Sequence, residues 1–309
     1  MSLRLGLIGT GSHCRREHLP ALKTIRQHHP EMVALKAVCD LDFPAAEAVA
    51  REMGFAEAHP DLESLLRKDS LDAIIAVTPV HATAKVACRI MEAGIPLLME
   101  KPLGQNLLEA RRITATAART GTPVMVGLDR RFDPVLTRTA EWLRGRPVRW
   151  VSIRLHRKGR TEAGFIEDVI IHPLDVLAGL FGSVEVETVL SAGADMGEAF
   201  HASLKLGSAA RGTLECLPHC GQWAESYAFA GPGFRVEARS REVSAGRAEG
   251  EPHFHYVPPG DGRGRSAYGE TKAFLEGVLS GSLPGPGPSD VIKTTAQVEK
   301  IAHLVRTPF

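Results

Sequence analysis

Long apolar runs are missing from this chain. None approaches the roughly 18 residues that a membrane-spanning helix requires, which excludes an integral helical membrane protein. An excess of charge of one sign is missing too. Lys plus Arg number 37 against 36 for Asp plus Glu, so no dominant basic face is available to hold a nucleic acid. Cysteine is sparse: five residues, at 14, 39, 88, 216 and 220, odd in number and mostly in apolar surroundings. They read as reduced thiols of a cytoplasmic protein and not as a disulfide framework. The N-terminus runs at once from Met1-Ser2-Leu3-Arg4-Leu5 into Gly6-Leu7-Ile8-Gly9. That leaves no room for a charged segment followed by a long apolar one, and secretion is not expected. No internal repeat is present. What remains is ordinary for a globular protein: 309 residues, 44% hydrophobic and 24% charged, enough to bury a core in each of two domains.

The first 128 residues alternate between short apolar runs and amphipathic stretches. Leu3–Ile8, Val33–Cys39, Ala73–Val77, Leu97–Met99 and Val124–Leu128 read as buried strands. Between them, spacings such as Leu19, Leu22 and Ile25, or Val86, Ile90 and Ala93, predict helices. Gly54, Gly94 with Pro96, and Gly121 with Pro123 mark helix ends. This alternation predicts an α/β fold with a doubly wound parallel sheet over residues 1–125. The pattern then changes. Arg149–Arg154, Val184–Leu190, Phe200–Leu206, Ala210–Leu217, Ala224–Phe229 and Phe234–Ala238 follow one another as strands, with one clear helix at His172–Phe181. Residues 126–309 are therefore expected to form an α/β domain with an open, largely antiparallel sheet. The Gly-, Pro- and charge-rich stretch 241–265 is expected to be a long loop or flap. Final helices are expected at Ala267–Leu279 and from Asp290 to Val305.

The strongest local signal is Gly9-Thr10-Gly11-Ser12-His13-Cys14, directly after the first strand. Glycines at 9 and 11 let backbone amides at a helix N-terminus meet a pyrophosphate. Cys14 stands at the third position, where glycine or alanine is usual, and is small enough to keep helix and strand close. The second strand ends in Val38-Cys39-Asp40, where an acid is placed to take both hydroxyls of an adenosine ribose. The acid, with no Arg immediately after it, points to NAD in preference to NADP, whose 2′-phosphate it would repel.

Further motifs follow in order. Thr78-Pro79-Val80-His81 comes after the fourth strand, and Glu100-Lys101-Pro102 comes after Gly94-Ile95-Pro96-Leu97-Leu98-Met99. Arg131-Phe132-Asp133-Pro134, Asp168-Val169-Ile170-Ile171-His172-Pro173 and Phe274-Leu275-Glu276-Gly277 come later. Taken together the set closely resembles the glucose–fructose oxidoreductase / inositol dehydrogenase (Gfo/Idh/MocA) family. The resemblance implies an N-terminal Rossmann domain, a C-terminal domain whose sheet often forms the oligomer interface, and a bound NAD or NADP.

It also implies a Lys/Asp/His triad, carried onto Lys101, Asp168 and His172. Lys101 would stabilise alkoxide character on the reacting oxygen. Asp168 and His172 are four apart, which puts them on one face of a helix, where a carboxylate can orient a proton-carrying imidazole. Gly9, Thr10, Gly11, Ser12, His13, Cys14, Asp40, Thr78, Pro79, His81, Glu100, Lys101 and Asp129 are the expected cofactor contacts, with Glu100 orienting Lys101 or packing beside the nicotinamide. Ile170, where the family often has glycine, the neighbouring Glu167 and the charged Asp129 depart from the pattern. No metal is expected, since Pro218 breaks the spacing of Cys216, His219 and Cys220. The expected function is an NAD-dependent dehydrogenase of a sugar, cyclitol or similar polyol, assembled as a homodimer or homotetramer. The alternatives are a glycosidase or epimerase of the same family working by transient oxidation, and a non-catalytic dinucleotide-binding sensor.

Overall fold

The computed structural model describes residues 2–68, 70–160, 162, 164–193, 196–239, 242–247 and 254–307. The chain forms two compact units, one of residues 1–132 and 260–292, the other of residues 133–259 and 293–309.

The first unit is built on six strands: β1 (Leu3–Ile8), β2 (Val33–Cys39), β3 (Glu57–His59), β4 (Ala73–Ala76), β5 (Leu97–Glu100) and β6 (Val124–Gly127). Their order is β3-β2-β1-β4-β5-β6 and every pairing is parallel. The connections are α1 (Leu19–His28), α2 (Phe43–Met53), α3 (Leu62–Lys68), α4 (Val80–Glu92) and α5 (Leu107–Thr120). Leu19, Leu22 and Ile25 of α1, and Ala110 and Ile113 of α5, lie fully or almost fully buried, as their spacing predicts, whereas α4 buries Ala84, Ala87, Cys88, Ile90 and Met91 and leaves the predicted Ala93 exposed. Asp42 and Asn106 cap α2 and α5 by accepting from Ala45 and Glu109 amides. Gly54 and Gly121 end those two helices at φ of 78° and 66°, where a β-carbon would be strained. The strand order reverses at β1, so the ends of β1 and β4 are the place where this fold binds ligands. Helix α9 (Ser266–Ser280) belongs to the same unit, with Phe274 and Leu275 in its core.

In the second unit, α6 (Pro134–Leu143) precedes β7 (Trp150–His156), and α7 (Phe165–Val169) and α8 (Ile171–Phe181) follow it. A further seven strands come next: β8 (Val184–Ser191), β9 (Phe200–Leu206), β10 (Ala210–Leu217), β11 (Ala224–Gly231), β12 (Phe234–Arg239), β13 (Glu242–Arg247) and β14 (Phe254–Tyr256). The sheet order is β14-β13-β12-β11-β7-β10-β9-β8, antiparallel except for β7 beside β10. Alternation decides its faces. Phe200, Ala202, Leu204 and Leu206 of β9 point inward with Val151, Ile153 and Leu155 of β7. Helix α8 packs on β8 and β9, and α6 on β12 and β13. Helix α10 (Pro288–Arg306) closes the chain, and the border between the units runs through it at 292/293.

One expectation is corrected. Part of the 241–265 stretch is sheet, because β13 pairs with β12 and β14 with β13 at the sheet edge. Its only strand signal is the short alternation of buried Val243 and Ala245 with exposed neighbours, which the surrounding Gly, Pro and charge obscure. Among the described residues no helix is long and apolar enough to cross a membrane.

Candidate active site

Gly9 follows β1 with φ of 89°, and a β-carbon there would lie 2.0 Å from the carbonyl oxygen of Val77. The turn therefore hugs the end of β4, and only glycine permits that approach. Gly11 differs: a β-carbon on it would meet nothing within 4 Å. The packing of the protein does not demand a glycine there, whereas a phosphate brought against the helix N-terminus does. The residues present thus fit a dinucleotide. Cys14, at the third position, is fully buried, and burial pushes its thiol up to about 12. It serves by packing, as its size suggests, and its thiol is inert.

Asp40 stands just past β2. Its Oδ2 accepts from the Thr10 amide at 2.6 Å and the Thr10 hydroxyl at 2.7 Å, and its Oδ1 from the Asp42 amide at 3.0 Å. Burial pushes its carboxyl up, but these hydrogen bonds outweigh it and hold the group below the usual carboxylate range. The acid predicted for the ribose is therefore an anion tied directly to the glycine turn.

Glu100 ends β5. Its Oε1 faces His18 Nε2 at 2.7 Å and His13 Nε2 at 3.3 Å. Despite the cost of burying a charge, the two imidazoles hold its carboxyl far below the usual range. The sequence reading expected Glu100 to orient Lys101 or pack beside the nicotinamide; the structure turns its carboxylate onto two histidines. His18 was missed altogether. A π turn over Cys14–His18 brings it there, since the wider turn aligns residues five apart, here His13 and His18. An ordinary helical reading puts those two residues on different faces. The three donor atoms lie within 4.8 Å of one another and are of the kind that can hold a metal ion. In their present arrangement the carboxylate charge is met by the two rings.

Lys101 follows directly and is half-buried, as is Asp129, whose carboxylate is paired with Arg130 at 2.8 Å. Thr78 lies at the end of β4, its hydroxyl 3.2 Å from that of Thr83, and Pro79 and His81 are exposed at the start of α4. Gly9, Asp40, Thr78, Glu100 and Lys101 thus share the carboxyl ends of neighbouring parallel strands. Ser12 is exposed on the first turn.

Asp168 and His172 belong to the second unit. Helices α7 and α8 meet at Ile170, whose φ and ψ of −73° and −21° keep the backbone right-handed, so the two residues stand one turn apart. Asp168 is half-exposed and Arg160 Nη2 donates to its Oδ2 at 3.0 Å. Glu167 does not compete for this role, because Arg306 grips it with two bonds of 2.6 and 2.9 Å. Cys216 is buried, and Cys220 donates to the carbonyls of Arg157 and Gln222. His253 lies outside the described residues.

Comparison with known proteins agrees with this geometry. Residues 3–128 match the model of the oxidoreductase family with the NAD-binding Rossmann fold, Gfo/Idh/MocA. The chain is 29% identical over 192 residues to an inositol 2-dehydrogenase of Corynebacterium glutamicum, covering 59% of this chain and 55% of that one. It is 29% identical over 192 residues to a D-apiose dehydrogenase of Paraburkholderia graminis, covering 58% and 49%. The matched region thus spans about half the length of these relatives. A levoglucosan dehydrogenase solved with NADH and levoglucosan has the same fold, with a TM-score of 0.84 at 15% identity over 99% of this chain and 98% of that one. Residues 3–128, with their glycine turn, Asp40 and Glu100-Lys101-Pro102, thus match the NAD-binding Rossmann fold of the Gfo/Idh/MocA oxidoreductase family.

Proposed function

We propose that the protein is an NAD-dependent dehydrogenase acting at a carbinol carbon of a sugar, cyclitol or related polyhydroxylated compound, in the cytoplasm. The observation that carries the reading is the placing of Gly9, Asp40 and Lys101 at the carboxyl ends of β1, β2 and β5 of one parallel sheet. The comparisons support it, since relatives of this chain are named inositol 2-dehydrogenase and D-apiose dehydrogenase.

Bound NAD supplies a hydride acceptor at the nicotinamide. The protein does the rest. The open space at Gly11 and the amides of the following turn seat the pyrophosphate, and Asp40 takes the ribose hydroxyls and repels a 2′-phosphate. Lys101 donates to the reacting oxygen and stabilises alkoxide character as the C–H bond breaks. His172 accepts the hydroxyl proton, and Asp168, one turn away, favours its charged form. Replacing His172 by Ala is expected to lower kcat by roughly 10²–10⁴ while leaving NAD affinity nearly unchanged. Asp168→Asn is expected to cost less, because it keeps a hydrogen bond. Turnover of NAD with a polyol panel, followed at 340 nm, is the test. Near-full activity of His172→Ala on a verified substrate would sink the triad.

A homodimer or homotetramer is part of the same proposal. The sheet face opposite α8 carries Ser152, Ser203 and Thr213, and large apolar side chains at Trp150, Leu190 and Trp223 remain exposed in the second unit. Sedimentation giving a single 33.3 kDa species would exclude it.

A further inference from the structure

The segment that leaves β7 reads His156-Arg157-Lys158-Gly159-Arg160, and its cations have different fates. His156 faces Glu215 at 2.6 Å. Arg157 is closed off: its guanidinium is buried against an equally buried Glu225 at 2.8 Å and lies over the Trp223 ring. Arg160 is different. It is 36% exposed, and its partners Glu162 and Asp168 are 49% and 48% exposed. The backbone beneath it is fixed, because the Arg157 and Arg160 amides donate to Leu217 and Pro218 carbonyls and the Cys220 amide returns to Arg157. The guanidinium also sits 5.4 Å from the centre of the buried Phe165 ring. A preorganised, half-open arginine is thus held on the carboxylate expected to serve His172.

From this we infer that Arg160 is a substrate-binding residue and that the substrate carries a carboxylate, as in a sugar acid. The inference rests on the dehydrogenase reading and names its substrate class. Arg160 already lies against carboxylates, and its planar fork matches that group with two parallel hydrogen bonds. The ion pairs it makes now are solvent-exposed, and such pairs are worth little, so exchanging one for a ligand carboxylate is cheap. The exchange has a consequence for the reaction. A guanidinium on Asp168 competes for the carboxylate that should favour protonated His172, and adds a positive charge nearby. A substrate carboxylate that draws Arg160 away relieves Asp168 of one cation and neutralises that charge. With Arg157 and His156 committed to Glu225 and Glu215, one open guanidinium suits a carboxylate of single charge better than a phosphate dianion. Lys158, exposed two residues earlier, adds attraction at longer range.

The experiment compares glucuronate with glucose, and galacturonate with galactose, as NAD-dependent substrates of the full chain. Wild type is expected to prefer the acids in kcat/KM. Arg160→Met, which keeps the stem and removes the charge, is expected to reduce the acid-to-neutral preference by roughly 10- to 100-fold, with Arg160→Lys in between. A wild-type preference for the neutral sugars, or a ratio that Arg160→Met leaves in place, overturns the inference. If neither kind of sugar turns over, calorimetric titration of glucuronate into the NADH-saturated protein decides. Binding at least tenfold tighter to wild type than to Arg160→Met sustains the assignment, and equal or no binding overturns it. Failure of NADH itself to bind counts against the dehydrogenase reading and not against Arg160.

Discussion

Thr10 donates twice to one oxygen of Asp40, from its amide at 2.6 Å and from its hydroxyl at 2.7 Å. The tie joins the ends of β1 and β2, so the residue expected to select the cofactor also fixes the turn that receives its pyrophosphate. Asp40→Ser is therefore expected to do two things. It should weaken NAD by tenfold or more, the loss of a hydrogen bond to a charged group, and relax discrimination against NADP. Thr10→Val keeps the charge and the amide bond, so it should weaken NAD less and preserve the discrimination. Calorimetric titration with both cofactors checks this. Wild-type binding of NADP as tight as NAD would contradict the role of Asp40.

The two glycines of the turn are expected to separate fold from function. At Gly9 a methyl group would stand 2.0 Å from the Val77 carbonyl oxygen at a φ of 89°, so Gly9→Ala should cost about 3 kcal/mol or more, or prevent folding. At Gly11 a methyl group meets no protein atom within 4 Å. Gly11→Ala should leave thermal unfolding within about 1 kcal/mol of wild type. It should nevertheless weaken the cofactor at least tenfold, because the methyl occupies the pyrophosphate's approach. A Gly11→Ala protein that binds NAD normally would place the pyrophosphate elsewhere.

Most of the fold was legible because its signals are local. The apolar runs Leu3–Ile8, Val33–Cys39, Phe200–Leu206 and Ala210–Leu217 are strands with those same limits, since buried strands in both units carry uninterrupted or strictly alternating hydrophobicity. β13 and β14 were not legible, because an edge pair needs little apolar sequence when one neighbour supplies its hydrogen bonds. At the site, the meeting of Asp40 with the glycine turn follows from their places directly after β2 and β1, two strands already visible in the sequence. The partnership of Glu100 with His13 and His18 could not be read there, for it depends on a π turn with no simple sequence code. Nor could the grip of Arg160 on Asp168 be read, because an exposed arginine among many offers no period to follow.

His13 gives the site a pH dependence whose sign is fixed. Its pKa is raised above the ordinary 6.5, chiefly by the hydrogen bond to Glu100, against opposing effects of partial burial and of the Lys101 and Arg16 charges. The Glu100 carboxylate and the His18 ring, centred 5.7 Å away, also face it. The folded state holds the His13 proton more tightly than the unfolded chain does. The stabilisation is thus complete below pH 6.5 and is lost as pH rises through the higher folded value. Melting temperatures of wild type and His13→Asn, compared from pH 5.5 to 9, should converge as pH rises. A constant difference across that range would mean that His13 does not titrate against Glu100.

Arg306, at the end of α10, is expected to position α7. Its guanidinium takes Glu167 with a two-bond fork and Glu198 Oε1 at 2.6 Å, while Glu198 Oε2 accepts from the Ile166 amide at 3.3 Å. Helix α7 has only five residues and no side-chain cap, so little else local to it fixes its register. These groups are about a third exposed, which discounts each pair singly, but the shared fork makes them one network. Arg306→Ala should cost about 1–2 kcal/mol of stability by this reasoning. If Asp168 and His172 carry the chemistry, it should also lower kcat by roughly three- to tenfold, since misplacing a proton carrier slows the chemical step. NAD affinity should hold, because Gly9, Gly11 and Asp40 lie in the other unit. Arg306→Lys, which cannot make the fork, should recover only part of the rate. A lower melting temperature with kcat unchanged would show that α7 keeps its place without the latch, and that Arg306 serves stability alone.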